Sequence, residues 1–397
     1  MALMAAARTL LAERASRIEP FRVMALLERA KELEAAGRDV IHMEVGEPDF
    51  PTPAPIIEAG QRALRDGRVH YTPAAGLPAL RQEIAAYYQR RYGVAIDWKR
   101  VFVTPGASGA LLLALAALLD PGDGVLLADP GYPCNRQIVR LLGGVPRCIP
   151  AGPEHRYQLT PELAEAAWEP GIRVVLVASP SNPTGTLLSQ PEIERLYRLA
   201  RSRGSVLLVD EIYQGLVFDA EDATALSIGE EGLFVVNSFS KYFGMTGWRL
   251  GWLVAPLDCA VVLERLAQNL YLAPPTLSQY AASAAFCPET SEILEQRREE
   301  FRRRRDYLFG ALSALGFDFD TRPEGAFYLY GRCDSVSSDA QVLASDLLES
   351  AAVAVTPGYD FGRREASKHL RFAYTCDVSR LQQGVARIRD YLNGGRG

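Results

Sequence analysis

The sequence has few of the residues that mark metal sites, disulfide scaffolds or membrane spans. Its six cysteines form no Cys-x-x-Cys pair and its four histidines show no ligand-like spacing, which excludes a recognisable zinc site and indicates reduced thiols. No apolar run reaches membrane-spanning length without a charge, and no clean cleavage site follows the apolar stretch 1–11. We therefore expect a cytoplasmic protein that binds no metal and no membrane, with 1–11 as a helix packed on it.

Positive charge is not in excess either. The chain has 43 Lys and Arg against 48 Asp and Glu, a net charge of −5, which argues against a nucleic-acid partner. Its one arginine run, 302–305, falls in a helical stretch, where we expect a solvated helix face. At 397 residues and 48% hydrophobic content, the chain is long enough for two domains of an ordinary globular protein.

The stretch 236–252 carries the strongest chemical signal. Lys241 follows the apolar run 233–236, where a strand would end and side chains become reachable. Crowding by Arg249 and apolar surface would lower the pKa of this amine and make it nucleophilic near neutral pH. Nearby hydroxyl groups and an arginine suggest an aldehyde that carries a phosphate, and pyridoxal 5′-phosphate, held as a Schiff base, is the obvious candidate. The alternative is that Ser240-Lys241 is an ordinary surface pair, so the rest of a site has to occur elsewhere.

From residue 101 onward, short apolar runs alternate with amphipathic helical segments. Continuous apolar runs suit strands that are buried on both faces, so this alternation predicts a mainly parallel sheet between layers of helices. Helix starts are indicated at Thr160 and at Ser189, the second with Glu192 completing a capping box. The predicted strands are 101–103, 125–127, 174–177, 206–209 and 234–236.

Residues with chemical function follow each of these strands. Because ligands in open α/β sheets bind at the carboxyl ends of strands, the five strand ends would meet at one edge. The residues after these strands are, in chain order, a loop of the kind that binds phosphate followed by a helix start (104–109), an aromatic residue (Tyr132), an asparagine (Asn182), an aspartate with a tyrosine (Asp210 and Tyr213) and the stretch from Ser238 to Lys241.

The flanking segments have a different pattern. Residues 14–36 show helical periodicity and end at Gly37, a good C-cap. A strand is predicted over 40–45, where His42 alternates with apolar neighbours and is expected to be structural. Beyond residue 285, the pattern predicts a smaller α+β domain with helices at 292–315 and 339–350 and strands at 325–330 and 369–374. The predicted domains are a segment 1–48 joining the small domain, a large cofactor-binding domain 49–284 and a small domain 285–397.

Together these residues make the chain resemble the fold-type I aminotransferases of class I and II, the aspartate aminotransferase-like superfamily. The resemblance spans roughly residues 20–395 and rests on four motifs in the family's order and spacing: Asn182 to Gly185, Asp210 to Tyr213, Ser238 to Lys241 and Gly247 to Arg249. It implies the α/β fold of the type I PLP transferases, with a mainly parallel seven-stranded sheet in a large domain beside a smaller α+β domain. It also implies pyridoxal 5′-phosphate as cofactor and a homodimer with shared active sites.

The resemblance implies a role for each residue around the cofactor ring. Lys241 would hold the cofactor and later move the proton at the substrate Cα. Asp210 would pair with the pyridinium nitrogen. Taken by itself, an aspartate directly after a strand is also typical of a helix N-cap. Tyr213 and Asn182 would hydrogen-bond the phenolate oxygen. Tyr132 would stack on the ring, unless it merely packs in the core.

The phosphate would lie at the start of a helix near Ala107, where N–H groups and the helix dipole favour an anion. Ser108, Ser238, Ser240 and Arg249 would complete this cup.

For the substrate, Arg371 matches the family's arginine that binds the α-carboxylate, with Asn182 beside it, and Gly46 would add a backbone N–H. Tyr71 matches the tyrosine that reaches the phosphate of the neighbouring subunit.

The sequence says least about the pocket that receives the substrate side chain. No second arginine marks a specialist for dicarboxylates, and Ser108 stands where some relatives carry a lysine. Tyr71, Tyr132, Phe327 and Phe21 favour neutral or aromatic amino acids. The resemblance thus implies transfer of an amino group from such an L-amino acid to a 2-oxo acid such as 2-oxoglutarate, by a ping-pong mechanism.

Two alternatives stay open at this stage. A β-eliminating C–S lyase of the same fold needs Lys241, Asp210 and Arg371 as well, so sequence separates it poorly from a transaminase. A non-catalytic PLP-sensing regulator would need a DNA-binding domain before the site. Only about 40 residues precede Gly46, without a helix-turn-helix or a basic excess.

Overall fold

The computed structural model describes residues 12–394, so the helix predicted over 1–11 lies outside the described residues. The α-helices are α1 (Glu13–Ser16), α2 (Arg22–Ala35), α3 (Ala54–Arg65), α4 (Pro78–Tyr92), α5 (Gly106–Leu118), α6 (Pro133–Leu141), α7 (Pro161–Ala166), α8 (Gln190–Ser202), α9 (Ala260–Leu270), α10 (Thr276–Ala282), α11 (Pro288–Ser313), α12 (Ala340–Ala351) and α13 (Val378–Leu392). Within 12–394, no helix combines the length and the apolar character that crossing a membrane requires.

Twelve strands form three sheets within the described residues. The strands are β1 (Ile41–His42), β2 (Val101–Thr104), β3 (Gly124–Asp129), β4 (Val145–Pro150), β5 (Ile172–Ala178), β6 (Val206–Asp210), β7 (Leu233–Ser238), β8 (Gly251–Val254), β9 (Tyr328–Arg332), β10 (Val353–Ala354), β11 (Thr356–Pro357) and β12 (His369–Ala373). The largest sheet has seven strands in the order β2-β8-β7-β6-β5-β3-β4. Only β8 runs against its neighbours, β2 and β7, so the sheet is mainly parallel, as predicted.

Both faces of this sheet are buried. Along β5, Val175 and Val177 belong to one hydrophobic cluster, whereas Val174 and Leu176 belong to the cluster on the other face. Helices cover the two faces, which is why the strands read as continuous apolar runs rather than as an alternating pattern. The five strands predicted from such runs are confirmed, and the structure adds β4 and β8, which the sequence interpretation missed.

The two smaller sheets join distant parts of the chain. β9, β12 and β11 form an antiparallel sheet with β12 in the centre. β1 pairs in parallel with β10, so residues 41–42 share a sheet with residues 353–354. The domain boundaries at residues 48 and 284 stay predictions.

The predicted helix over 14–36 is wrong in one respect, because it is interrupted. α1 ends at Ser16, and the backbone is not helical again until Arg22. Pro20 lies in this gap, and a proline has no backbone N–H to donate to a helix. Gly37 does adopt the left-handed conformation expected just after a helix end, with φ +87°.

The arginine run 302–305 is not a solvated face throughout. Arg304 is buried, and its Nη1 lies 2.8 Å from a carboxylate oxygen of Asp49. Arg305 is also buried and lies 2.7 Å from a carboxylate oxygen of Asp219. Two of the four arginines thus tie α11 to neighbouring loops through ion pairs, because a buried guanidinium needs a counter-charge.

Candidate active site

The predicted site residues that follow strands of the seven-stranded sheet lie at one edge of that sheet. β3, β5, β6 and β7 run in the same direction and end at this edge. β2 has the same direction, because it is antiparallel to β8, which is antiparallel to β7. β8 therefore begins at this edge, and Arg249 comes two residues before its start.

Lys241 lies just beyond β7 and reaches across to the N-terminal part of the chain. Its Nζ donates to the carbonyl oxygen of Gly46 at 2.6 Å. Burial lowers the pKa of this amine to about 8, with Glu47 opposing the shift and Arg371 and Arg249 adding to it. The amine is therefore closer to its nucleophilic form than an exposed lysine is.

Asp210 is the last residue of β6 and is only 4% exposed. One carboxylate oxygen accepts from the backbone N–H of Ile212 at 3.1 Å. Burial raises the pKa of the carboxyl to about 6, and no described cation contributes an opposing effect. A buried carboxylate without a counter-charge is suited to receive a cationic N–H from a bound group.

The start of α5 packs closely on the start of β8. A Cβ added at Gly251 would lie 2.8 Å from the backbone nitrogen of Ala107, so the close approach requires glycine. A Cβ at Gly106 would lie 2.8 Å from Nη2 of Arg249, which puts this guanidinium against the first turn of the helix. Ser108 is exposed in the same turn.

Hydroxyl groups and Arg249 face this helix start. The Ser238 Oγ donates to the Ser240 Oγ at 3.0 Å, and the backbone N–H of Ser240 returns a bond to Ser238 at 3.0 Å. Arg249 has a left-handed backbone, with φ 54°, and its Nη1 donates to the carbonyl of Thr246 at 3.1 Å. Free helix N–H groups, hydroxyls and a guanidinium without an ion pair among residues 12–394 form a cup suited to a phosphate.

Arg371 lies on β12 with its side chain buried between two aromatic rings. Its guanidinium carbon is 4.3 Å from the centre of the Tyr328 ring and 4.8 Å from that of Phe361. Nη1 donates to Oδ1 of Asn182 at 2.9 Å, and Nη2 donates to the carbonyl oxygen of Glu44. Nε is buried and has no partner among the described residues. A buried guanidinium with an unpaired N–H is suited to receive a carboxylate.

Aromatic residues lie beside both Lys241 and Arg371. The hydroxyl groups of Tyr213 and Tyr328 lie 2.9 Å apart, and the Phe327 ring centre is 5.8 Å from the Lys241 Nζ. A Cβ at Gly46 would lie 1.8 Å from the Tyr328 hydroxyl, so no side chain fits there. The sequence interpretation missed Tyr328, although its place beside Phe327 in a predicted strand was a usable signal.

Tyr132 lies just before α6, and its ring meets Phe21 edge-on with centres 6.1 Å apart. A cavity of about 750 Å³ is lined by Tyr132, Ser181 and residues of β3, β4 and β5. Lys241, Asp210 and Arg371 are not among its lining residues.

Tyr71 is 83% exposed in the loop between α3 and α4. Its predicted contact with the phosphate of a second subunit stays a prediction.

The arrangement fits pyridoxal 5′-phosphate. The cup at α5 would hold the phosphate, Lys241 would meet the aldehyde carbon, and the uncompensated carboxyl of Asp210 would receive the ring N–H. Arg371 is left free for a carboxylate of the substrate.

Comparison with known proteins gives one consistent result. The family described as Aminotransferase class I and II matches residues 38–388. A valine–pyruvate aminotransferase of Mycobacterium tuberculosis is 36% identical over 376 residues, which cover 94% of this chain and 97% of that protein. An aspartate/prephenate aminotransferase of Thermus thermophilus is 34% identical over 384 residues, covering 96% and 98%. The crystal structure of an aminotransferase from Mycobacterium tuberculosis has a TM-score of 0.93 at 36% identity and covers 96% and 99% of the two chains.

Proposed function

The chain belongs to the class I and II aminotransferases and is a PLP-dependent transaminase, and we propose that its donor is a neutral or aromatic L-amino acid. The acceptor is a 2-oxo acid such as 2-oxoglutarate, and the two substrates react in turn by a ping-pong mechanism. The protein acts in the cytoplasm as a homodimer with shared active sites.

One observation carries the choice of donor. Among the described residues of this chain, the cations that act on the Lys241 amine are Arg371 and Arg249, and Arg249 lies at the phosphate cup. This leaves one guanidinium, Arg371, for the substrate, enough for the α-carboxylate but not for a second acidic group. The Phe327 ring lies beside the Lys241 amine, and the Tyr328 ring stacks on Arg371. Apolar rings beside a single guanidinium support a neutral or aromatic side chain.

The names of the relatives leave this choice open. The relative named for valine and pyruvate and the relative named for aspartate and prephenate match this chain at 36% and 34% identity. The first name agrees with a neutral donor and the second includes an acidic one. The proposal therefore rests on the residues of this chain.

When bound, pyridoxal 5′-phosphate supplies an aldehyde for the substrate amine and a ring that accepts electrons. Arg371 binds and orients the α-carboxylate, using the N–H of Nε that no described residue satisfies. Once displaced from the cofactor, Lys241 would take the proton from Cα and return it two bonds away, at the far end of a 1,3-shift, which its lowered pKa favours. Asp210 would stay ionised beside the ring N–H and so keep that proton in place. Tyr213 and Asn182 would donate to the phenolate oxygen.

Stopped-flow absorbance tests the donor. The holoenzyme is mixed with a panel of L-amino acids, and the rate of loss of the cofactor band is measured for each. Valine, leucine and phenylalanine should react faster than aspartate and glutamate. Faster reaction with aspartate would contradict the proposed donor class.

Two further measurements complete the test. With an amino acid alone, the enzyme should stop after one turnover, whereas a C–S lyase would release pyruvate and ammonia continuously. Steady-state rates with both substrates should give parallel double-reciprocal lines, and intersecting lines would contradict a ping-pong mechanism.

A further inference from the structure

The segment from Glu44 to Gly46 touches both ends of the site through its backbone. The carbonyl oxygen of Glu44 accepts from Nη2 of Arg371 and from Oγ1 of Thr356, the second at 3.0 Å. Two residues on, the carbonyl oxygen of Gly46 accepts from Nζ of Lys241 at 2.6 Å. The placement of this short segment therefore affects both Arg371 and Lys241.

The side chain of Glu44 is buried, with 0% exposure. Its Oε1 lies 2.7 Å from Nδ1 of His42, and its Oε2 has no partner among the described residues. Nε2 of His42 lies 3.2 Å from Oε1 of Glu34 on α2. His42 is therefore the only described cation that compensates the buried carboxylate, and a buried charge without compensation is strongly unfavourable.

We propose that the ion pair between His42 and Glu44 is a positioning device, which fixes the segment 44–46 and through it holds Arg371 in the geometry that binds the α-carboxylate. This inference rests on the proposed function of Arg371. His42 and Glu44 would not meet the substrate themselves, and the effect tested below is the one that passes through the Glu44 carbonyl to Arg371.

The charge state of His42 makes the device sensitive to pH. The hydrogen bond to Glu44 is the main reason why the pKa of His42 is raised to about 9. The charged groups that face the ring are Glu44 and Glu34, whereas the paired strand β10 presents Val353 and Ala354. On α13, Arg380 and Arg387 are engaged by Asp39 rather than by His42.

The sign of the pH effect follows from this raised pKa. His42 is protonated in the folded protein below about pH 9. The stability that its protonation contributes is complete below the unfolded pKa of roughly 6.5. It is lost as the pH rises through about 9, and the placement of Arg371 should be lost in the same range.

The test uses 3-phenylpropionate, a carboxylate without an amino group, and measures its binding to the holoenzyme by calorimetry. His42→Ala should weaken this binding by about 10- to 100-fold, the size expected for a misplaced binding group. His42→Ala combined with Glu44→Gln removes the buried charge and should restore most of the affinity. Glu34→Gln, which removes only the outer partner of the histidine, is the matched control and should change the affinity by less than about twofold.

The kinetic readout separates positioning from general destabilisation. His42→Ala should raise KM for the amino acid more than it lowers kcat, because Arg371 binds the carboxylate in both the ground and transition states. The double variant should also regain part of the thermal stability that His42→Ala loses, because its buried charge is gone, and recovery of affinity in the double variant supports the proposal. Equally weak binding by both variants overturns it.

A proton NMR titration gives a readout that is independent of activity. The chain has four histidines, so the His42 signal is assignable as the one absent from His42→Ala. It should titrate near pH 9, and affinity for 3-phenylpropionate should fall over the same range. Titration near pH 6.5 would overturn the inference.

Arg371→Leu distinguishes failure of this inference from failure of the proposed function. If Arg371→Leu leaves 3-phenylpropionate binding unchanged, the proposed role of Arg371 is wrong. If Arg371→Leu abolishes binding while His42→Ala has no effect, the inference alone is wrong.

Discussion

The cofactor end and the substrate end of the site are built on different supports. Asp210, Ser238 and Lys241 sit at or just beyond the ends of β6 and β7, two paired strands in the middle of the seven-stranded sheet. Arg371 instead lies on a three-stranded sheet and is held by Glu44 and by Asn182, which come from other parts of the chain. The cofactor end thus depends on one continuous sheet, whereas the substrate end depends on how separate parts pack together.

This difference has a functional meaning. Groups fixed by one hydrogen-bonded sheet keep their spacing, which the common chemistry of the family requires. A substrate end assembled from several segments can change its shape without disturbing that chemistry. Changes at the cofactor end should therefore abolish turnover, whereas changes at the substrate end should mainly alter affinity and choice of substrate.

The largest effect is expected for Lys241→Ala. Loss of the amine that moves the Cα proton should lower kcat by about 10⁴-fold or more, at the upper limit of general acid–base contributions. The variant should still bind pyridoxal 5′-phosphate through Asp210 and the phosphate cup. Lys31→Ala, which changes an exposed lysine of α2, is the control and should retain full activity.

Chemical labelling checks the same assignment. Borohydride reduction of the wild-type holoenzyme, followed by peptide mapping, should attach the cofactor to Lys241. A label on any other lysine would show that the assignment is wrong.

Asp210→Ala should give the next largest effect. Without the carboxylate the ring nitrogen loses its proton and accepts electrons poorly, so kcat should fall by about 10²- to 10³-fold. Asp210→Asn, of nearly the same size, should lose nearly as much, because charge rather than shape is required. Either variant retaining more than about a tenth of wild-type kcat, a barrier change under roughly 1.4 kcal/mol, would contradict the role.

Arg371→Leu tests the substrate end. Loss of charge-assisted bonds to the α-carboxylate, worth about 1.5–3 kcal/mol, should lower kcat/KM by about 10- to 150-fold, with most of the change in KM. Arg363→Leu removes an exposed arginine of the preceding loop and should have little effect. A fall in kcat with unchanged KM would mean that Arg371 acts in the chemical step, and the contrast between the two ends would fail.

The smallest effect on turnover is expected for Tyr71→Phe, because the change acts on cofactor affinity. The phenol would donate to the phosphate in a second subunit, and loss of one such bond, about 1.5–3 kcal/mol, should weaken cofactor affinity by roughly 10- to 150-fold. Cofactor affinity is measured by equilibrium dialysis, with Tyr307→Phe on α11 as the control. An unchanged affinity would remove Tyr71 from the site.

Subunit mixing extends this test to the dimer. An inactive Tyr71 variant re-associated with Lys241→Ala should regain one working site, which combines the intact residue of each chain. No recovery of activity, or an active monomer in sedimentation, would contradict shared sites.

The cofactor end could be predicted from sequence because its signals are local. Each functional residue follows a continuous apolar run. These runs are easy to recognise because both faces of the sheet are buried, so nearly every residue of a strand is apolar. β4 was missed because it is an edge strand that contains Pro146, Arg147 and Pro150 and is only partly buried. β8 was missed because it is short and follows an irregular loop.

The substrate end was less predictable. Arg371 was identified from its motif. The carbonyl oxygen of Glu44 contacts Arg371 and that of Gly46 contacts Lys241, but both belong to the backbone, so no residue type in the sequence indicates these contacts. Likewise, nothing in the run 302–305 distinguishes the buried Arg304 from an exposed neighbour, because its burial depends on Asp49, far away in sequence.

The reversed strand β8 also sets an order of events during protein synthesis. β2 pairs only with β8 within the seven-stranded sheet, and the helix start that forms the phosphate cup packs on Gly251. A nascent chain that has emerged as far as Lys241 already contains Asp210, yet its β2 has no partner and its cup lacks Arg249. Cofactor capture therefore comes after translation of β8, and shorter nascent chains should not retain the cofactor on the ribosome.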